Sequence, residues 1–202
     1  MKDQELEVKL FVSDLLAIER RLVSLGARLT LPRVFEINLR FDTPGGDLGR
    51  TLRVLRLRQD KIVRLTYKGP ASGLGGARLR QEIEFEVSDF AAARALLEGL
   101  GYRVVMTYEK YRTAYDLDGA EVSLDQLPYG TFVEVEGPDP ETIQTVTRKL
   151  GLDWEATIPA SYTVLFDQLK ERRNLPFSDL SFENFKDLAI THVDLEVRPA
   201  DG

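Results

Sequence analysis

Charges of a single sign recur along one face of successive β-type stretches in this chain. Glu82, Glu84 and Glu86 alternate with Ile83 and Phe85, and Glu134 and Glu136 flank Val135. Arg56 and Arg58 alternate with Leu55 and Leu57, Arg64 and Lys68 with Leu65 and Tyr67, and Lys110 and Arg112 flank Tyr111. A period of two puts such residues on the same side of a strand, with Cα atoms about 6–7 Å apart. Near the N-terminus, Glu5, Glu7 and Lys9 alternate with Leu6, Val8 and Leu10. One strand of this kind reads as the wet side of an antiparallel sheet. Ordinary wet faces mix Thr, Ser, Lys, Gln and Glu, whereas most of these are acidic or basic throughout. Repulsion between like charges at that spacing is tolerated best when a counter-ion lies between them.

The apolar faces of the same strands need a cover, and three amphipathic stretches can supply it. Each follows a Glu-x-Glu strand and runs into Leu-Gly: residues 14–25 before Gly26, 89–100 before Gly101, and 140–150 before Gly151. Leu15, Ile18, Leu22 and Leu25 form one helical stripe, and Phe90, Ala93, Leu97 and Leu100 another. Ser13 and Ser88 stand at expected N-cap positions, each followed by Asp in the first turn. The three glycines occupy the left-handed position that ends a helix. The first two units align (VSD…LGAR with VSD…LGYR), which indicates a duplicated strand–helix unit. Loops are expected at 44–50, 69–78 and 128–130. Beyond Ser161 the chain reads as a helix to about residue 173, a break at 174–176, and a second helix over 181–188. The last ten residues carry no clear pattern.

A chain of 202 residues with 43% apolar content suits a domain with a real core. It has no run of roughly 18 apolar residues, so no membrane span is expected. Its polar, acidic start does not read as a signal peptide, and a cytoplasmic location is expected. With no cysteine, thiolate metal sites and thiol nucleophiles are excluded. His192 is the only histidine, so a His/Cys zinc site cannot be assembled. A net charge of −6 argues against nucleic acid as a partner. Any metal would be held by carboxylates, which suit Mg²⁺, Mn²⁺ or Ca²⁺.

If the sheet curls with its ionic faces inward, the helices can cover the apolar faces outside. Such a barrel encloses carboxylates for a divalent ion beside Arg and Lys for a multiply charged anion. Arg offers forked contacts to phosphate oxygens and Lys a point charge. A metal–polyphosphate complex matches both clusters.

Glu5-x-Glu7-x-Lys9 is followed in order by FDTP at 41–44, LRLRQD at 55–60, LTYKGP at 65–70 and RQEIEFEV at 80–87. EKYR at 109–112, SLDQLPYGTFVEVEG at 123–137 and Ser161-Tyr162 complete the series. This ordered set resembles the CYTH superfamily, the triphosphate tunnel metalloenzymes, over about residues 1–166. That group includes class IV adenylate cyclases, thiamine triphosphatases and tripolyphosphatases. The resemblance implies an α+β fold: an eight-stranded antiparallel β-barrel tunnel with a charged interior and helices packed outside. It implies that Glu5, Glu7, Asp125, Glu134 and Glu136 bind one or two Mg²⁺ or Mn²⁺ ions. Lys9, Arg56, Arg58, Lys68, Lys110 and Arg112 would clasp the triphosphate. Glu5, Glu7, Lys9, Glu134 and Glu136 form the expected catalytic set, with Arg64, Arg80, Glu82 and Glu84 as further tunnel positions. Arg53 has the wrong parity to share a face with Arg56 and is left out. Ser161 and Tyr162 are explained by capping and packing. The Gly-rich stretch GPASGLGGARL lacks the Gly-Lys-Ser/Thr ending of a phosphate loop and reads as a flexible connection.

Residues 1–170 are expected to form the tunnel domain and 171–202 a helical extension, in which 175–188 could plug one tunnel mouth. The expected function is metal-dependent hydrolysis of inorganic tripolyphosphate, thiamine triphosphate or a nucleoside triphosphate. A class IV adenylate cyclase, forming cyclic AMP and pyrophosphate from ATP, is the second reading. A non-catalytic polyphosphate- or nucleotide-binding module is the third, although binding alone needs fewer acids. The expected partner is a small-molecule triphosphate, with no nucleic acid or membrane, and a homodimer is expected from the habit of several family members.

Overall fold

The computed structural model describes residues 4–202. Among these residues the strands are β1 (Gln4–Phe11), β2 (Arg28–Asp42), β3 (Val54–Gln59), β4 (Val63–Leu74), β5 (Ala77–Val87), β6 (Arg103–Leu117), β7 (Ala120–Leu127) and β8 (Gly130–Glu136). They close into a barrel in the order β1-β5-β4-β3-β2-β6-β7-β8, with every neighbour antiparallel. The helices are α1 (Leu15–Ser24), α2 (Asp47–Arg50), α3 (Phe90–Gly99), α4 (Pro140–Lys149), α5 (Tyr162–Arg173) and α6 (Phe182–Phe185).

Alternation turns the apolar faces outward. Leu6, Val8 and Leu10 of β1 join Val122, Leu124, Val133 and Val135 beneath Ile18 and Leu22 of α1 and Ile143 and Val146 of α4. Leu39, Phe41 and Leu57 pack beneath Leu97 of α3. The helix-ending glycines adopt φ of +77° at Gly26, +91° at Gly101 and +71° at Gly151, as their positions required. The N-caps differ from the expectation. Asp14 and Asp89, not Ser13 and Ser88, accept hydrogen bonds from the amides of Ala17 and Ala92. A carboxylate at the cap both satisfies an orphan amide and complements the helix dipole, so each helix begins one residue later.

The Gly-rich connection is ordered as well. β4 and β5 continue as a ladder to Leu74 and Ala77, joined by Gly75 and Gly76 at φ of +57° and +85°. Two consecutive left-handed residues give a turn whose twist matches the strands, so the hairpin extends instead of fraying. Its tip docks tightly: a Cβ on Gly75 would lie 2.8 Å from Pro140 of α4, and one on Gly76 would lie 3.0 Å from Trp154.

The barrel interior is not ionic along its whole length. Phe11, Leu127, Phe132 and Met106 share the parity of Lys9, Asp125, Glu134 and Lys110, yet they form an apolar cluster with Tyr162, Leu165, Phe166 and Leu169 of α5. Leu175, Leu180, Phe185 and Leu195 of the tail join the same cluster. The expected second helix over 181–188 is only the single turn α6, and the patternless end of the chain is pinned in place. Leu180 exchanges backbone hydrogen bonds with β6, donating to Thr107 and accepting from Glu109, each at 2.9 Å. Asp201 accepts from the amides of Ser13 and Asp14 at 2.8 Å. The tail therefore builds on the core shared by α5 and one end of the barrel rather than on a core of its own.

Leu180 is fully buried in this cluster. Leu180→Ala is expected to lower unfolding stability by about 2–5 kcal/mol. The measurement is chemical denaturation, with limited proteolysis expected to cut the tail before the barrel.

Candidate functional site

Strand order sorts the charges. β5, β1 and β8 are consecutive around the barrel, so Glu82, Glu84, Glu5, Glu7, Glu134 and Glu136 come from one wall. β4, β3, β2 and β6 are likewise consecutive and carry Arg64, Lys68, Arg56, Arg58, Lys110 and Arg112. All of these residues, with Lys9 and Arg80, line one cavity of about 1300 Å³. The lining runs from Thr30, Lys61 and Ile62 at one end of the barrel to Gly49, Leu52 and Arg53 at the other. Pro159–Asp167, the approach to α5 and its first turns, contribute the last lining residues; none of residues 175–188 does. Arg53, set aside on parity, reaches the rim from the turn before β3.

The basic wall is held in place by acids. Lys110 Nζ donates to Asp125 at 2.9 Å, and Arg112 grips both Asp125 oxygens, at 2.7 Å through Nε and 2.5 Å through Nη2. The Tyr162 hydroxyl donates to the same carboxylate at 2.8 Å. Asp125 is fully buried and does not line the cavity, so it stands behind the cations rather than among the exposed acids. Tyr162 does more than pack: Lys9 Nζ lies 4.0 Å from its ring centroid. Burial, with Asp125 and Glu134, pushes its hydroxyl well above the ordinary value and keeps it a donor. Glu84 is a second hub, accepting from Thr66 at 2.7 Å and pairing with Arg56, Arg58 and Arg64 at 3.3–3.4 Å. Arg80 spends its guanidinium on the Gly69 carbonyl at 2.8 and 3.2 Å, inside the bulge that separates Lys68 from Ala71.

The acidic wall is divided. Glu134 is gripped by Lys9 and Arg112. Burial would raise its pKa, but Lys9, Arg112 and Lys110 outweigh that and hold it well below the ordinary value. Glu5 pairs with Lys68 at 2.7 Å, and Lys68 also reaches Glu82 at 3.0 Å. Among the described residues, Glu7 pairs only with Arg78, at 3.9 Å. Glu136 stands directly opposite Glu7 on one side and Glu121 on the other. Like charges facing each other across strands destabilise a sheet. Burial and then Glu134 raise Glu7, and burial with Glu5, Glu121, Glu7 and Glu82 pushes Glu136 up to about 7. The wall thus gathers more carboxylate charge than its neighbouring cations offset. Hard oxygen donors of this kind fit Mg²⁺ or Mn²⁺. Among the described residues, no three acidic side chains converge tightly enough to enclose an ion as they stand.

Several lining residues escaped the sequence reading: Glu36, Arg40, Asp60, Arg78, Tyr108 and Glu121. A signal existed for some. Glu36, Asn38 and Arg40 alternate with Ile37 and Leu39, and Glu121 alternates with Val122 on the strand that carries Asp125.

Glu136 has a definite pH signature. Its ordinary value is 4.5 and its folded value about 7, so between the two the folded chain holds a proton that the unfolded chain has lost. Its contribution therefore makes stability fall as pH rises from about 4.5 to about 7 and stay level above that. A series of melting temperatures against pH, recorded without divalent metal, is expected to be shallower in this window for Glu136→Gln than for the natural protein.

Known proteins place this architecture. A candidate adenylate cyclase from Vibrio parahaemolyticus superimposes with a TM-score of 0.75 at 20% identity, covering 83% of this chain and 99% of its own. The PH1819 protein of Pyrococcus horikoshii gives a TM-score of 0.69 at 26% identity, over 81% of this chain and 98% of its own. An adenylyl cyclase candidate from Hippeastrum, described as having a dominant triphosphatase activity, gives 0.59 at 20% identity, over 81% and 97%. No curated protein matches the sequence. The sequence pattern of the CYTH domain matches residues 3–162, and with the inside-out barrel that pattern implies now in view, the chain belongs to the CYTH domain family.

Proposed function

We propose that this protein hydrolyses the terminal phosphate of triphosphate substrates in a reaction that depends on Mg²⁺ or Mn²⁺. The observation that carries the reading is the pair of facing walls, acidic and basic, around one cavity. Arg56, Arg58, Lys110 and Arg112 would bind the phosphate oxygens, with Lys68 at the β4–β5 seam and Lys9 on the acidic side completing the clasp. Charge-assisted and bidentate contacts of this kind are the strong ones. Glu7 and Glu136, which among the described residues have no cation closer than 3.9 Å, are the residues that would hold a metal, with Glu5 and Glu134 beside them. A divalent ion bound there supplies charge neutralisation and an activated water. Asp125 would act by fixing Lys110, Arg112 and Tyr162. Phosphoryl transfer needs little covalent chemistry from the protein, so positioning and charge can carry most of the catalysis.

A cavity of about 1300 Å³ exceeds the ~300–1,000 Å³ usual for small-ligand sites. That surplus leaves room for an organic group and keeps the cyclase reading alive. Incubation with Mg²⁺ or Mn²⁺ and tripolyphosphate, thiamine triphosphate or ATP separates the readings. Inorganic phosphate is the expected product. Cyclic AMP with pyrophosphate would identify a cyclase, and tight binding without product a non-catalytic module.

Two variants test the roles. Arg58→Ala is expected to weaken triphosphate binding by roughly ten- to a hundredfold, the loss of about 1.5–3 kcal/mol from a charged hydrogen bond. Glu134→Ala is expected to abolish turnover while anion binding persists, since it removes an acid and frees Lys9 and Arg112. Divalent metal is also expected to raise the melting temperature more above pH ~7 than below pH ~5, because the acidic wall is then ionised. Equal shifts at both would remove that wall as the metal site.

A further inference from the structure

Glu36 lies on the wrong wall. It projects from β2, directly opposite Lys110, among cations that the proposed function assigns to phosphate. Its exposure is 0%, yet it borders the cavity. Among the described residues its nearest cations are Lys110 Nζ at 3.6 Å and Arg58 at 3.9 Å, beyond hydrogen-bond reach, and neither carboxylate oxygen has a hydrogen-bond partner. The next inward residue of the same strand, Asn38, is also fully buried with both amide atoms unpaired. An unsatisfied buried carboxylate is costly and needs a reason. Asp125 and Glu84 are different, because each accepts hydrogen bonds, Asp125 from Lys110 and Arg112 and Glu84 from Thr66, Arg56 and Arg58.

The geometry points to Glu36 as an internal counter-anion: a fixed negative charge that occupies the electrostatic centre of the clamp and sets how tightly it holds a polyanion. It does not touch the substrate. It balances Lys110, Arg112, Arg58 and Arg56 when no phosphate is bound, and it repels a phosphate that is. Lys110, Arg112, Arg58 and Arg56 outweigh burial and hold its pKa at about 2, so the charge is present at every working pH. The inference rests on the reading of the basic wall as a phosphate clamp. Its function would be to limit affinity so that a phosphate product can leave.

The test is calorimetric binding of inorganic tripolyphosphate, without added metal, at fixed ionic strength. Glu36→Gln keeps the shape and removes the charge, and is expected to tighten binding about tenfold. Glu36→Asp, which keeps the charge, is expected to stay near the natural affinity. Asn38→Asp adds a second negative charge opposite Arg58 and is expected to weaken binding by a similar factor. A merely structural Glu36 would instead give Glu36→Gln a lower melting temperature with unchanged or weaker binding, which overturns the inference. If Glu36→Gln does not fold, Asn38→Asp decides: an unchanged affinity overturns the idea. Failure of the natural protein to bind tripolyphosphate would bring down the clamp itself, whereas binding without opposite shifts in the variants removes only the role of Glu36.

Discussion

Electrostatic repulsion inside a closed barrel is the constraint on which the molecule turns. Burying like charges at strand spacing is unfavourable unless opposite charges face them or an ion joins them. The strand order answers the first requirement by gathering three acidic strands on one side and the basic strands on the other. Lys68 of β4 crosses from the basic side to Glu5, and Lys9, set among the acidic strands, neutralises Glu134 on the neighbouring strand. What is left over, around Glu7, Glu121 and Glu136, is the part of the interior that protein groups alone do not neutralise.

The sequence made this legible through parity. Strict alternation at Glu5–Lys9, at 55–58, at 82–86 and at 134–136 identified both the inward face and its sign, and the helices that follow three of those strands supplied the cover. Parity alone could not tell which strands become neighbours. That β1 lies between β5 and β8 is a long-range fact, fixed by the barrel's closure. Parity also concealed the change of character along single strands: Lys9 and Phe11 share a face, but one meets Glu134 and the other meets Phe132. Only the arrival of α5 and the tail explains why the same face turns apolar.

Depth was equally invisible. Asp125 and Glu134 read alike as acids on neighbouring strands, yet one is sealed behind the cations and the other lines the cavity. Glu36 alternates with Ile37 and Leu39 beside Asn38 and Arg40, which marks its face but not its depth. Burial depth depends on how Arg112, Lys110 and Arg58 drape over their neighbours, and no local pattern encodes that.

The glycine hairpin has a mechanical consequence. β1 pairs with β5 through Gln4–Glu7 and with β8 through Glu7–Phe11, so the ring is joined by a short, staggered splice. The tip of the β4–β5 hairpin reaches past that splice to Pro140 and Trp154, beyond β8 in the chain, and acts as a clasp over it. Sideways gaping of the cylinder would require the clasp to let go. The clasp holds the hairpin against the far side of the splice, and a side chain at Gly75 or Gly76 would force Pro140 or Trp154 to give way.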